Sequence, residues 1–149
     1  MARFVYSMQS ILNIKEKEEA QYRMDFAVAK RKLDDENELL LNLIKRRKDY
    51  EEAGVSLREK AIDVVQIREN ERAIEVMNDK IALQQMAVVR AEEALEKERE
   101  KLTNTMQERQ MHERLRERAF EEYLAEEKAE EAKIVDERSS FVYGQGVES

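Results

Sequence analysis

The sequence predicts an all-α fold: an antiparallel two-helix coiled-coil hairpin whose longer second helix projects beyond the first. Three observations carry this. Ile67, Ile74, Ile81, Val88, Leu95 and Leu102 stand seven residues apart, and an aliphatic residue at every seventh position draws one apolar seam along a helix. Charged residues make up 41% of the 149, with three Gly and no Pro, Cys or Trp, which is too little turn chemistry for a globule of many elements. Hydrophobic residues nevertheless reach 42%, which separates the chain from disordered polar sequences.

Residues 1–7 read as an aromatic leader carrying Phe4 and Tyr6. Residues 8–53 contain no helix breaker and form the first helix. Gly54 can end a helix in the left-handed C′ conformation, and Ser56 with Glu59 is a capping box able to open the next. The turn is therefore predicted at 54–56 and the second helix at 57–138. Such a turn pairs residues whose numbers add to about 110. Leu102 then faces Met8, Val88 faces Tyr22, Ile81 faces Ala29 and Ile67 faces Leu43, while Leu12, Phe26, Leu33 and Leu40 continue the first helix's stripe. Lys15 and Glu36, opposite Leu95 and Ile74, would lay their long stems along the seam. In this register 57–102 is paired and 103–138 is a projecting arm that awaits an external partner. Ser139-Ser140 and Gly144 open a flexible tail at 139–149.

Charge narrows the function. The 27 Lys and Arg against 34 Asp and Glu give a net charge of −7, unlike the basic surface on which nucleic-acid binding rests. No apolar run is long enough to insert in a membrane, the N-terminus lacks a secretory h-region, and the absence of Cys fits the cytoplasm. Along the arm the charge changes sign, from seven basic and five acidic residues over 97–118 to two basic and eight acidic over 119–137. Lys45-Arg46-Arg47-Lys48 could contact phosphate or an acidic protein, but acidic residues follow at once and the run reads first as a solvated face, while Tyr50 either caps the seam or offers its ring to a partner.

The materials of catalysis are missing. His112-Glu113 begins a zinc-helix pattern, but the second ligand position is Arg116, so His112 reads as a lone exposed histidine. Paired carboxylates such as Glu121-Glu122 have no cleft to shift their acidity, and there is no phosphate loop or nucleophile elbow. A non-catalytic binding protein is expected, with no cofactor and no metal. A generic coiled-coil adapter or a homodimeric tether, one arm pairing with another, is the alternative to a dedicated machine component.

The opening Phe4-x-Tyr6-x-x-Gln9-x-Ile11-Leu12-x-Ile14-Lys15-x-Lys17-Glu18-Glu19 resembles the start of FliJ proteins, components of the bacterial flagellar type III export apparatus. Glu113-Arg114-Leu115-Arg116-Glu117-Arg118-Ala119-Phe120-Glu121-Glu122-Tyr123, continuing to Glu130-Glu131-x-Lys133-x-x-Asp136-Glu137, resembles that family's distal helix. The resemblance implies a stalk-like hairpin that inserts into the flagellar export ATPase ring and promotes its activity or assembly. It also implies contact with the export gate and with export substrate chaperones, at the cytoplasmic face of the inner membrane. By this resemblance and by the unpaired arm, ATPase binding is expected at Phe4, Tyr6, Arg109, Arg114, Leu115, Arg116, Arg118 and Phe120. Gate contacts in the family gather near the hairpin turn, where Leu43, Tyr50 and Met77 stand at comparable positions and Ala73 replaces an aromatic carried by some members.

Overall fold

The computed structural model describes residues 3–148, with side chains from 3 to 144. The expectations for Met1 and Ala2 in the leader and for Ser149 in the tail lie outside the described residues. Two helices, α1 (Gln9–Glu59) and α2 (Val64–Glu148), make up nearly all of it. They pack antiparallel as the predicted all-α hairpin, and α2 is the longer, with 85 residues against 51. The chain divides into two compact units, Ala20–Thr103 and the segments on either side of it.

The turn lies at residues 60–63 and not at 54–56. Asp63 opens α2: its Oδ1 accepts from the backbone N–H of Val65 at 3.0 Å and Gln66 at 3.4 Å, and its carbonyl accepts from Ile67 at 3.1 Å. A cap of this kind contributes about 1 kcal/mol. Gly54 does not stop α1. It lies buried within the helix with no positive φ, and what suits glycine there is space, since a Cβ would stand 2.4 Å from Asn70 Oδ1. Asn70 fills that space and donates to the Tyr50 carbonyl at 2.8 Å. Gly54 is thus a site of close approach, and the Ser56 capping box lies inside a continuing helix that ends with Arg58 favourably placed at the C-terminal dipole.

Within Ala20–Thr103 the seam is mainly aliphatic. Met77, Ile81, Val88 and Ala91 are buried, facing half-buried Phe26, Leu33, Leu40 and Leu43 on α1. Polar side chains interrupt it in matched pairs. Gln84 donates to the Glu36 carbonyl at 2.9 Å and also to the Glu36 carboxylate, while Arg47 donates to Asn78 at 3.1 Å. Arg99 lies over the Phe26 ring, 5.8 Å from its centroid. Glu36 with Gln84, Arg47 with Asn78 and Phe26 with Arg99 have numbers adding to 120, 125 and 125. The expected register of about 110 is therefore displaced by roughly two heptads. The reason is polar matching: opposite Ile74 the Glu36 carboxylate would lose its partner, and opposite Gln84 it gains one.

The other unit corrects the projecting arm. Residues after 103 are not unpaired, since the leader and the first turns of α1 pack on them. Tyr6 and Leu12 are buried, and so are Thr105 and His112. Unpaired helix begins later: beyond Glu127 every described side chain is exposed. The expected loose tail is also corrected, because α2 continues to Glu148. Ser139-Ser140 and Gly144 carry only modest helix penalties, about 0.5–1 kcal/mol each, and do not break it.

Candidate functional site

Two surfaces hold the residues expected to bind partners. The first is built on the leader and α2. The Tyr6 carbonyl accepts from the Gln9 N–H at 3.0 Å and the Met8 carbonyl from Leu12 at 3.1 Å, which turns the chain into α1. That turn sends the Tyr6 ring inward, where its hydroxyl and His112 Nδ1 are hydrogen-bonded at 3.4 Å, the imidazole tautomer deciding which donates. The exposed histidine expected from the sequence is therefore buried, at 6% exposure. Phe4 meets Phe120 edge-on with centroids 5.1 Å apart and Tyr123 at 5.4 Å. An aromatic cluster thus caps this unit, with Phe120 still 42% exposed.

Charge below the cluster is organised in the seam. Lys15 donates to Glu108 at 2.6 Å and to Glu18 at 3.2 Å. These two carboxylates, Glu108 foremost, hold the Lys15 proton above the usual lysine range. Arg109 donates to both oxygens of Glu19 and to Glu113 at 2.8 Å, and the bonds to Glu19 and then Glu113 raise its basicity further. Arg109 and Tyr6, both expected to contact a partner, are therefore engaged within the unit. Arg114, Leu115, Arg116 and Arg118 are exposed on α2. A groove of about 490 Å³ joins Phe4, Arg116 and Phe120 with Glu113 and Glu117. A second, of about 570 Å³, places Arg3 and Tyr123 beside Glu122, Glu126 and Glu130. The surface thus offers aromatic edges between a basic and an acidic stretch.

The second surface lies in the Ala20–Thr103 unit, where Tyr50 and Met77 line one groove of about 370 Å³. Leu43, the third residue expected there, is half-buried in the seam and does not line it. Met77 is only 3% exposed and forms the floor. The groove also holds Arg46, from the basic run noted in the sequence, and Arg72 and Lys80, which sequence reasoning passed over. Their signal was available: Arg72, Val76 and Lys80 recur at helical spacing beside Met77.

No cluster able to hold a metal ion occurs among the described residues, and no described helix is long and apolar enough to cross a membrane. The geometry supports recognition of protein surfaces by aromatic, aliphatic and charged groups.

Comparisons with known proteins agree with this architecture. The family model of the flagellar FliJ protein matches residues 4–148. No curated protein matches the chain. A solved structure from Chlamydia trachomatis, described as that of a YscO homologue, superposes with a TM-score of 0.76 at 22% identity, over 100% of this chain and 99% of the other. At that identity the likeness speaks to fold alone.

Proposed function

Because the chain belongs to the flagellar FliJ family, a component of type III export, we propose that it is a non-catalytic partner of the flagellar export ATPase ring. It promotes the ring's activity or assembly and couples it to the export gate and to substrate chaperones, working at the cytoplasmic face of the inner membrane. The observation that supports the ATPase contact is the Phe4–Phe120–Tyr123 cluster with Arg116 in the groove beside Phe4 and Phe120, on a stretch of α2 where Arg114 and Arg118 are also exposed. Aromatic edges supply holding energy once desolvated, and the arginines steer approach and fix orientation. Leu115, 39% exposed, adds aliphatic surface. Tyr6 and Arg109 serve this contact indirectly, by holding the leader and α1 against α2. Gate contact is assigned to the groove of Tyr50 and Met77, with Leu43 supporting it from the seam.

Reversing Arg114, Arg116 and Arg118 to Glu tests the ATPase assignment, because all three are exposed and the helix tolerates Glu. Helicity should be unchanged and stimulation of the export ATPase lost. Full stimulation by the triple variant would remove this surface from the mechanism.

A further inference from the structure

The groove at Tyr50 and Met77 is locally basic in an acidic molecule. The chain carries −7 overall, yet Arg46, Arg72 and Lys80 line this one hollow against the single acid Glu69. Several cations elsewhere are already engaged. Lys15, Arg47, Arg58, Arg99, Lys101 and Arg109 all stand in ion pairs. Among the described residues Arg46, Arg72 and Lys80 stand in none of these pairs. Three unneutralised cations around a shared hollow favour an anionic occupant.

The floor states what else that occupant carries. Met77 closes the bottom and Val76, 44% exposed, forms one wall. Methionine adapts to apolar shapes, and Tyr50 adds an amphipathic ring. A bare polyanion would satisfy the rim and leave this floor in water. Two exposed leucines continue the same edge, Leu83 at three residues beyond Lys80 and Leu39 at seven before Arg46, with exposures of 69% and 52%. In an antiparallel pair these positions fall on one flank.

We propose that this groove receives an acidic peptide segment with an apolar side chain, the carboxylates meeting Arg46, Arg72 and Lys80 and the apolar group seated on Val76 and Met77. It rests on the reading of this groove as the gate contact and adds the chemistry of the segment the gate would present. Arginine gives the rim forked donors suited to carboxylates, and the apolar seat restricts which acidic segments fit.

The test uses the full chain and a fluorescein-labelled heptapeptide with a central phenylalanine flanked by three glutamates on each side, read by fluorescence anisotropy. Saturable binding is expected, weakened about tenfold or more by Arg72→Glu with Lys80→Glu. Arg72→Gln with Lys80→Gln should weaken it less. Val76→Asp and a central-alanine peptide should each weaken it as well, and circular dichroism confirms that the variants remain helical. No binding at millimolar peptide would overturn the inference, as would equal binding of a lysine-flanked peptide. Equal or tighter binding of a single-stranded DNA 12-mer or of anionic lipid vesicles would also overturn it, by making the groove a general polyanion site. Capture of the gate's cytoplasmic portion is measured in parallel. If the peptide results hold and gate capture survives the double reversal, the gate reading fails while the groove's specificity stands.

Discussion

Between Ala20 and Thr103 the buried seam is Met77, Ile81, Val88 and Ala91, whereas in the other unit the buried positions are Tyr6, Leu12, Glu19, Thr105 and His112. The same pairing of α1 with α2 is thus held by two kinds of chemistry. Aliphatic burial is strong and indifferent to direction. A seam of carboxylate, hydroxyl, imidazole and guanidinium holds only where each group meets its complement. The first suits a scaffold. The second suits a region that must hold its leader in one arrangement.

The largest expected effect breaks the aliphatic side. Ile81 is 4% exposed, and Ile81→Asp removes its burial, at about 2–5 kcal/mol, and adds a charge with no partner. That is a large share of a domain's stability. Thermal melting followed by circular dichroism should show loss of cooperative unfolding or a midpoint tens of degrees lower. An equal loss from Thr105→Val, which removes a hydroxyl from the other seam, would erase the proposed distinction.

A smaller effect is expected at Glu19 and Arg109. Arg109→Ala deprives a buried carboxylate of two of its bonds, which costs about 1–3 kcal/mol. The characteristic result is the exchange. Glu19→Arg with Arg109→Glu should recover part of the loss, because the pair is preserved with its polarity reversed. Amide hydrogen exchange in residues 9–19 reads the local opening. No recovery in the double variant would mean that packing of the stems, and not their charges, holds this part of the seam.

How much of this was legible in the sequence follows from the same comparison. The seven-residue repeat from Ile67 to Leu102 gave the helices, their antiparallel pairing and one face of the core. It could not give the register, because sliding one helix by a whole number of heptads puts aliphatic residues opposite aliphatic residues again. Polar members of the seam break that degeneracy. Gln84 selects Glu36, Asn70 selects the Tyr50 carbonyl, and Lys15 selects Glu108. Treating Lys15 and Glu36 as stems lying along an apolar seam discarded the signal. The repeat also runs on at the same spacing through Arg109, while Thr105 and His112 occupy the accompanying positions, so its end at Leu102 was an end of aliphatic residues only. Of the candidate sites, Phe4 with Phe120 and Tyr50 with Met77 were brought together, while Leu43, Tyr6 and Arg109 proved to be seam residues.

Gly54 carries the next prediction, smaller because two terms oppose. In a helix interior Gly→Ala gains about 1 kcal/mol of propensity. Here the new Cβ would press Asn70 away from the Tyr50 carbonyl, with loss of a hydrogen bond worth about 1 kcal/mol. Gly54→Ala should therefore change the melting temperature little. A left-handed glycine at a helix stop would instead be damaged by a Cβ. A marked loss of stability on Gly54→Ala, persisting when Asn70 is also made Ala, would favour the turn expected from the sequence over the one at 60–63.

The weakest expected effect belongs to Lys15, since its ion pairs remain partly open to solvent, where charge is screened. Hydrogen bonds to Glu108 and then Glu18 raise its folded pKa above the unfolded value, which is about 10.4 for lysine. The folded state therefore holds this proton more tightly. The contribution is complete below that unfolded value and disappears as pH rises through the folded one. Lys15→Gln should accordingly be slightly less stable than the parent at pH 8, and the difference should shrink steadily above about pH 10.4. Denaturant titrations of the two proteins at matched pH isolate the effect, because deprotonation of the other lysines is common to both. A stability difference that does not change with pH would assign Lys15 to the seam through its aliphatic stem, and would move the polar unit one step closer to the aliphatic one.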